Sequence, residues 1–220
     1  MKKTLLIITF TMLTFGLFAQ KDSSIVNPHH FSMKIGYGFM PSTSHNDIFV
    51  NLNANNDHNN KVRNGINYEF NYDYNFNKNY AWGLNFSMFN AFDSYMPTDS
   101  AKSSFSDDRY VFYAGPTFLI HSNLIDNHYT LYARATAGYM GFRNSMRYSG
   151  SKTLKGSCLG YGVNGGIDYI INDYISFVGE VSYLGGVCKK VKDNDKTYDL
   201  DNTKENLSRF NFSVGVKIKL

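Results

Sequence analysis

From residue 31 onward, apolar and polar side chains alternate one by one through a series of segments. Phe31, Met33, Ile35, Tyr37 and Phe39 alternate with Ser32, Lys34, Gly36 and Gly38. Ile66, Tyr68, Phe70, Tyr72 and Tyr74 alternate with Gly65, Asn67, Glu69, Asn71 and Asp73. Tyr80, Trp82, Leu84, Phe86 and Met88 alternate with Ala81, Gly83, Asn85 and Ser87. Successive side chains of a strand point to opposite faces, so a period of two predicts strands with one apolar and one polar face. The same period runs through residues 131–139, 159–169, 175–183 and 210–220, whose polar phases carry Arg134, Asp168, Glu180, Arg209 and Lys217. Residues 109–120 are nearly all apolar and include Pro116, which predicts a strand without assigning its faces.

These segments number eight, and their connections alternate in length. Those near 77–79, 122–127 and 172–173 are short, whereas 41–61, 93–108, 143–157 and 189–206 are long and polar. Short turns on one rim and long loops on the other are the pattern of an outer-membrane barrel, and a tilted strand of about 9–11 residues crosses the hydrocarbon layer. The pattern therefore predicts an all-β fold, an eight-stranded antiparallel up-and-down transmembrane β-barrel.

Alternation does not say which face meets lipid, because a soluble barrel of the lipocalin kind has an apolar interior and a polar exterior. Composition decides between them. The polar phase is rich in Gly, Ser and Asn, which suits a narrow interior, and its charges balance: Lys34, Arg134, Arg209 and Lys217 against Glu69, Asp73, Asp168 and Glu180. The chain has 17 Tyr and 18 Phe, too many on the other phase to fit inside so narrow a barrel. Aromatic girdles at the two membrane interfaces account for them.

The first residues follow a different rule. Lys2 and Lys3 precede an apolar run at 5–18 that ends at Ala19, the layout of a secretory signal peptide. The expected organisation is a signal peptide at 1–19, a periplasmic amino-terminal tail at 20–29 and the barrel at 30–220. The formal net charge is +4, and removing Lys2 and Lys3 leaves +2, too little to point to nucleic acid.

The segments at 160–169, the turn at Asn172 and Asp173, and residues 180–183 resemble the small outer-membrane barrel proteins related to OmpA, OmpX and OmpW, including the broad bacterial families known as outer-membrane β-barrel domain. The carboxyl-terminal stretch 213–220 is similar to the assembly signal of such barrels, with Ser213, Gly215, Ile218 and Leu220 at its marked positions and Leu220 where an aromatic residue is usual. The resemblance implies a bacterial outer-membrane location, contact with membrane lipid and lipopolysaccharide, and insertion by the barrel-assembly machinery.

Three constellations are candidates for function. The eight charged residues of the polar phase predict a lumen network of Lys34, Glu69, Asp73, Arg134, Asp168, Glu180, Arg209 and Lys217, either a rigid plug or an ion path. A loop with Arg143, Arg147, Lys152 and Lys155 and no acidic residue is a candidate for binding phosphates of lipopolysaccharide or another anionic surface partner. His45 and His58, with the pairs Asp93-Ser94 and Asp99-Ser100, resemble the loop residues of the outer-membrane palmitoyltransferase, but the charged lumen suits no acyl chain. No cofactor and no metal site is expected. The expected function is non-enzymatic, in envelope integrity or surface interaction through extracellular loops. The alternatives are a narrow OmpW-like channel or transporter for small molecules and a lipid A acyltransferase or deacylase.

Cys158 and Cys188 are the chain's two cysteines, and an exported chain meets an oxidising compartment. If Ile171 faces Ile175 across the turn at Asn172 and Asp173, paired numbers sum to 346. Glu180 then faces Gly166, and Cys158 faces Cys188, which predicts a disulfide.

Overall fold

The computed structural model describes residues 27–41, 63–95, 105–122, 128–148, 150–193, 196–199 and 204–220. The segment assigned to the signal peptide, together with His45, His58, Asp99 and Ser100, lies outside them. The strands are β1 (His29–Phe39), β2 (Asn64–Asn75), β3 (Tyr80–Tyr95), β4 (Phe105–His121), β5 (Tyr129–Tyr148), β6 (Gly150–Ile170), β7 (Ile175–Cys188), β8 (Lys190–Asp193), β9 (Lys196–Asp199), β10 (Glu205–Asn206) and β11 (Arg209–Lys219).

Strands β1 to β7 follow one another round the sheet, and β11 pairs with both β7 and β1, so eight antiparallel strands close a barrel. Closure satisfies every strand edge, which is what allows a sheet to stand in hydrocarbon. His29 and Leu220 exchange backbone hydrogen bonds of 3.0 and 2.8 Å and zip the seam at one rim. At that rim the turns are tight. Asn77 Oδ1 accepts from the backbone N–H of Asn79 and Tyr80, and Asn172 Oδ1 accepts from those of Tyr174 and Ile175, at 2.8–2.9 Å. A short amide side chain thus replaces backbone partners that a tight turn leaves unmatched.

The expected faces hold. Ser32, Lys34, Asn67, Glu69, Asn71 and Asp73 are buried, while Met33, Ile35, Tyr68 and Phe70 are exposed on the outside. A row of large apolar residues facing outward has no place in water and belongs in a bilayer. Aromatic pairs mark both edges of the band. Trp82 with Phe118 (5.0 Å) and Tyr129 with Tyr169 (5.3 Å) lie toward the short-turn rim. Phe112 with Tyr139 (6.4 Å) and Tyr183 with Phe210 (5.0 Å) lie toward the other. From Tyr129 to Tyr139, at about 3.3 Å per residue and a tilt of about 45°, the strand climbs about 23 Å, close to the usual apolar height of about 25 Å.

The unassigned β4 takes the odd residues inward: Asp107, Arg109, Val111, Tyr113, Thr117 and Leu119 are buried, while Tyr110, Phe112 and Ile120 face out. Its pairing with β5 omits Gly115 and Pro116 and resumes at Thr117 in the same register. Proline has no N–H for the ladder. The Pro116 carbonyl accepts instead from the Thr136 hydroxyl at 2.9 Å.

Two of the long loops are largely strand, and this corrects the sequence reading. Residues 143–157 continue β5 and β6, paired from Arg143 with Lys155 up to Tyr148 with Gly150. Asp93 and Ser94 belong to β3, opposite Asp107 and Ser106, so that Asp-Ser pair is not in a loop. Within 189–206, β8 extends the wall by pairing with β6, and β9 pairs with β8. Polar composition suggests loop, but a strand that rises into water has no apolar outer face to show.

Candidate functional site

The lumen of the membrane-spanning part is filled by hydrogen-bonded side chains that meet across it. Glu180 on β7 is the hub. Its Oε1 is 2.6 Å from Lys34 Nζ on β1 and accepts from Asn164 Nδ2 on β6 at 2.9 Å. Its Oε2 accepts from the Tyr132 hydroxyl at 2.7 Å and lies 3.5 Å from Arg134 Nη1 on β5. Gly166 faces Glu180 in the register, and a Cβ there would meet the Tyr132 ring, so glycine makes room for the Tyr132 bond.

The network continues to β2 on the far wall. Lys34 Nζ is 3.1 Å from Glu69 Oε1, which also accepts from Asn85 Nδ2 at 2.6 Å. Arg134 Nη2 reaches Asp73 Oδ2 at 2.6 Å, and its Nη1 donates to Asn71 Oδ1 at 2.7 Å. Nearer the tight-turn rim, Lys217 pairs with Asp168, and its ammonium sits 4.8 Å from the Tyr132 ring centroid. Seven of the eight named charges thus enter ion pairs. Arg209 is the exception: it donates to Ser87 Oγ at 2.9 Å and lies 5.7 Å from the Phe89 ring centroid, and among the described residues no carboxylate pairs with it.

Above Arg209 the interior changes character. Met40, Phe89, Val111, Tyr113, Met140, Leu184 and Leu207 pack into one buried apolar cluster, continued upward by Phe142, Met146, Leu154 and Val191. At its side Arg109 Nη2 is 3.4 Å from Glu205 Oε1, an ion pair between β4 and β10. The sequence reading missed this cluster and this pair. The signal was present in the spacing of Met140, Phe142 and Met146, which continue the inward phase of β5.

Cys158 and Cys188 form a disulfide with Cα atoms 5.0 Å apart. The ladder pairs Glu180 with Gly166 and Gly186 with Gly160, the expected sum of 346. Of the four basic residues assigned to a loop, Arg143, Arg147 and Lys155 are exposed on the outer face of the β5–β6 hairpin, and Lys152 pairs with Met146 in its ladder. On β11, Ser213 is buried in the lumen while Ile218, and Leu220 just beyond the strand, are exposed on the outside. At Gly215 a Cβ would run into the Met33 carbonyl and the Lys34 backbone across the seam, so a side chain would push β11 from β1. No cluster of His, Cys, Asp and Glu that could hold a metal occurs among the described residues.

No family model matches the chain, and no curated protein matches it. Solved structures do. The chain is similar to OprG from Pseudomonas aeruginosa, an outer-membrane protein, at 14% identity and a TM-score of 0.56 over 88% of this chain and 97% of that one. Neisserial surface protein A gives 13% identity and 0.55 over 88% and 97%. A major outer membrane protein of Thermus thermophilus gives 10% and 0.53 over 87% and 99%. At these identities the likeness is one of fold. The chain shares with these outer-membrane proteins the fold of a closed antiparallel barrel, and its own apolar girdle faces outward as a membrane-spanning barrel requires.

Proposed function

We propose that this barrel is neither a conduit nor an enzyme, and that it acts at the cell surface through the wall it raises above the membrane. One observation carries the reading. Side chains from opposite walls bond across the membrane-spanning lumen, while β5, β6 and β8 continue as paired strands beyond the outer aromatic belt. Buried charges bound to one another in this way form a plug, because an ion or solute would have to break several pairs at once. Strands that outlast the bilayer present a shaped and persistent surface, which a long loop does not.

The working surface is then the β5–β6 hairpin and the β8–β9 extension, and the partners are outer-membrane lipid, lipopolysaccharide and a cell-surface partner. During biogenesis, β11 is the strand that the barrel-assembly machinery would read. The test has two arms. Purified protein in a planar bilayer is expected to give no steady open-state conductance, and steady conductance overturns the reading in favour of a narrow channel. Replacing residues 143–157 with a tight turn is expected to leave barrel levels normal and to lose the surface or envelope phenotype of the intact gene. Changed lipid A acyl chains in cells with and without the gene would instead point to an enzyme.

A further inference from the structure

The pairing of β6 with its neighbours changes register once. Gly160 faces Gly186, but Gly156 faces Val191, so residues 187–190 lie opposite only 157–159. This is a β-bulge, and a bulge re-aims side chains. Cys188 before it and Val191 after it both point into the core. Lys189 and Lys190 are consequently both exposed on the outer face, followed by Lys192.

The next strands add to the same face. Lys155 is the direct partner of Lys192 across the β6–β8 ladder, and Arg143 is the direct partner of Lys155 across the β5–β6 ladder. Like charges directly opposed in a sheet destabilise it unless something neutralises them. Among the described residues, two acidic residues bear on the row. Asp108 lies near enough to Arg143 and Arg147 to interact with them, and Asp199 is the register partner of Lys190. Neither serves Lys155, Lys189 or Lys192, and among the described residues none of these three has an ion-pair partner.

The three lysines share a cleft of about 610 Å³ with Tyr139, Ser157 and Val187. Tyr139 belongs to the outer aromatic belt, and Val187 is exposed beside it. The cleft therefore straddles the membrane boundary, with an apolar lower wall and a cationic upper wall. Its volume falls in the usual range of small-molecule sites, about 300–1,000 Å³.

We propose that this cleft binds the phosphorylated headgroup of an outer-leaflet glycolipid, with phosphate held by Lys155, Lys189 and Lys192 and the start of an acyl chain lying on Tyr139 and Val187. A soluble anion would use only the upper wall. A membrane-resident phospholipid-like or glycolipid anion uses both, and at this height the headgroup is already in place. Ser157 supplies a hydroxyl for a phosphate or sugar oxygen. The proposal rests on the surface reading above and deepens it by assigning the cleft and the residues that hold the lipid, and the two fail separately, since lipid retention and bilayer conductance are independent measurements.

The test is native mass spectrometry of the full mature barrel in detergent with bisphosphorylated lipid A, its dephosphorylated form, and pyrophosphate as competitor. One molecule of the bisphosphorylated lipid is expected to be retained. The triple variant K155A/K189A/K192A is expected to weaken retention at least tenfold, and K78A, at the opposite rim, to leave it unchanged. All four lysines are surface residues, and heat-modifiable mobility verifies that each variant is folded. Equal retention of the dephosphorylated lipid overturns the proposal, as does full retention by the triple variant. Displacement of the lipid by equimolar pyrophosphate would make this a soluble-anion site and overturn the lipid assignment.

Discussion

On β5 the inward residues Arg134 and Thr136 are polar, and the outward residues Leu131 and Tyr139 are apolar; higher on the same strand the inward residues are Met140, Phe142 and Met146, with Asn144 among them, and the outward ones Arg143 and Arg147. The strand and its alternation are continuous, yet its polarity inverts. The cause is the solvent outside. Where lipid surrounds the barrel, the outer face must be apolar, and the narrow interior is left to polar groups that satisfy one another. Where water surrounds it, the outer face can carry charge, and the interior becomes a mainly apolar core flanked by the buried Arg109–Glu205 pair. The molecule is a membrane barrel below and has the polarity of a water-soluble barrel above, built on one set of strands. The lower part is held by directional bonds across the lumen and the upper part by close packing, and the two respond to different perturbations.

The largest perturbation removes both parts together. Deleting residues 213–220 takes most of β11 from between β7 and β1. The truncated chain is expected to remain in the periplasm and be degraded, as read by fractionation and immunoblotting; insertion at normal levels would show that closure depends on another strand. Next comes the lower part. Glu180→Ala strands Lys34 and Arg134 without their shared carboxylate and is expected to cost about 3–5 kcal/mol in urea unfolding from lipid vesicles. A cost near zero would mean that Glu69 and Asp73 take over both cations.

The upper part is expected to answer to volume instead. Leu184→Ala opens space in the apolar cluster beside Met140 and should cost about 2–4 kcal/mol by the same measurement, with little dependence on salt. If high salt changes the Leu184→Ala and Glu180→Ala losses alike, the division between the two parts is wrong. Smaller again is the disulfide, which ties β6 to β7 within the upper part. Replacing both Cys158 and Cys188 with Ser is expected to cost about 2–3 kcal/mol. Thiol labelling of the unreduced, denatured protein should find no free thiol, and two reactive thiols per chain would remove the tie from the account.

The sequence made the lower part legible because one rule governs it. Every lipid-facing position must be apolar, so Met33, Ile35, Tyr68 and Phe70 announce the phase, and Lys34, Glu69 and Asp73 follow as lumen residues. Even the β6–β7 register could be read, because a short turn around Asn172 and Asp173 leaves few ways to pair the strands. The upper part was hidden for the converse reason. Arg143, Arg147 and Lys155 are what loops also contain, and nothing in a period of two says that the apolar phase has moved from outside to inside. Arg109 and Glu205 were hidden more deeply, since they are far apart in sequence and meet only when β10 falls in line beside β7. The destination of Arg209 was equally out of reach: counting charges pairs it with a carboxylate, but its height on β11 sets it against Ser87 and Phe89.

The bulge at Lys189 behaves like a frameshift in a reading frame of two. Before it, even-numbered residues of β7 face the interior; after it, Val191 does and Lys192 faces out. Excising one of Lys189 and Lys190 would remove the bulge and leave Val191 inward and Lys192 outward, whereas excising a residue from the regular ladder would exchange the destinations of everything beyond it. Length is therefore not a neutral quantity within these strands. A chain of this design can lengthen or shorten freely where parity is not counted, beyond the paired ladders, and the walls admit changes in twos or, one residue at a time, at a bulge.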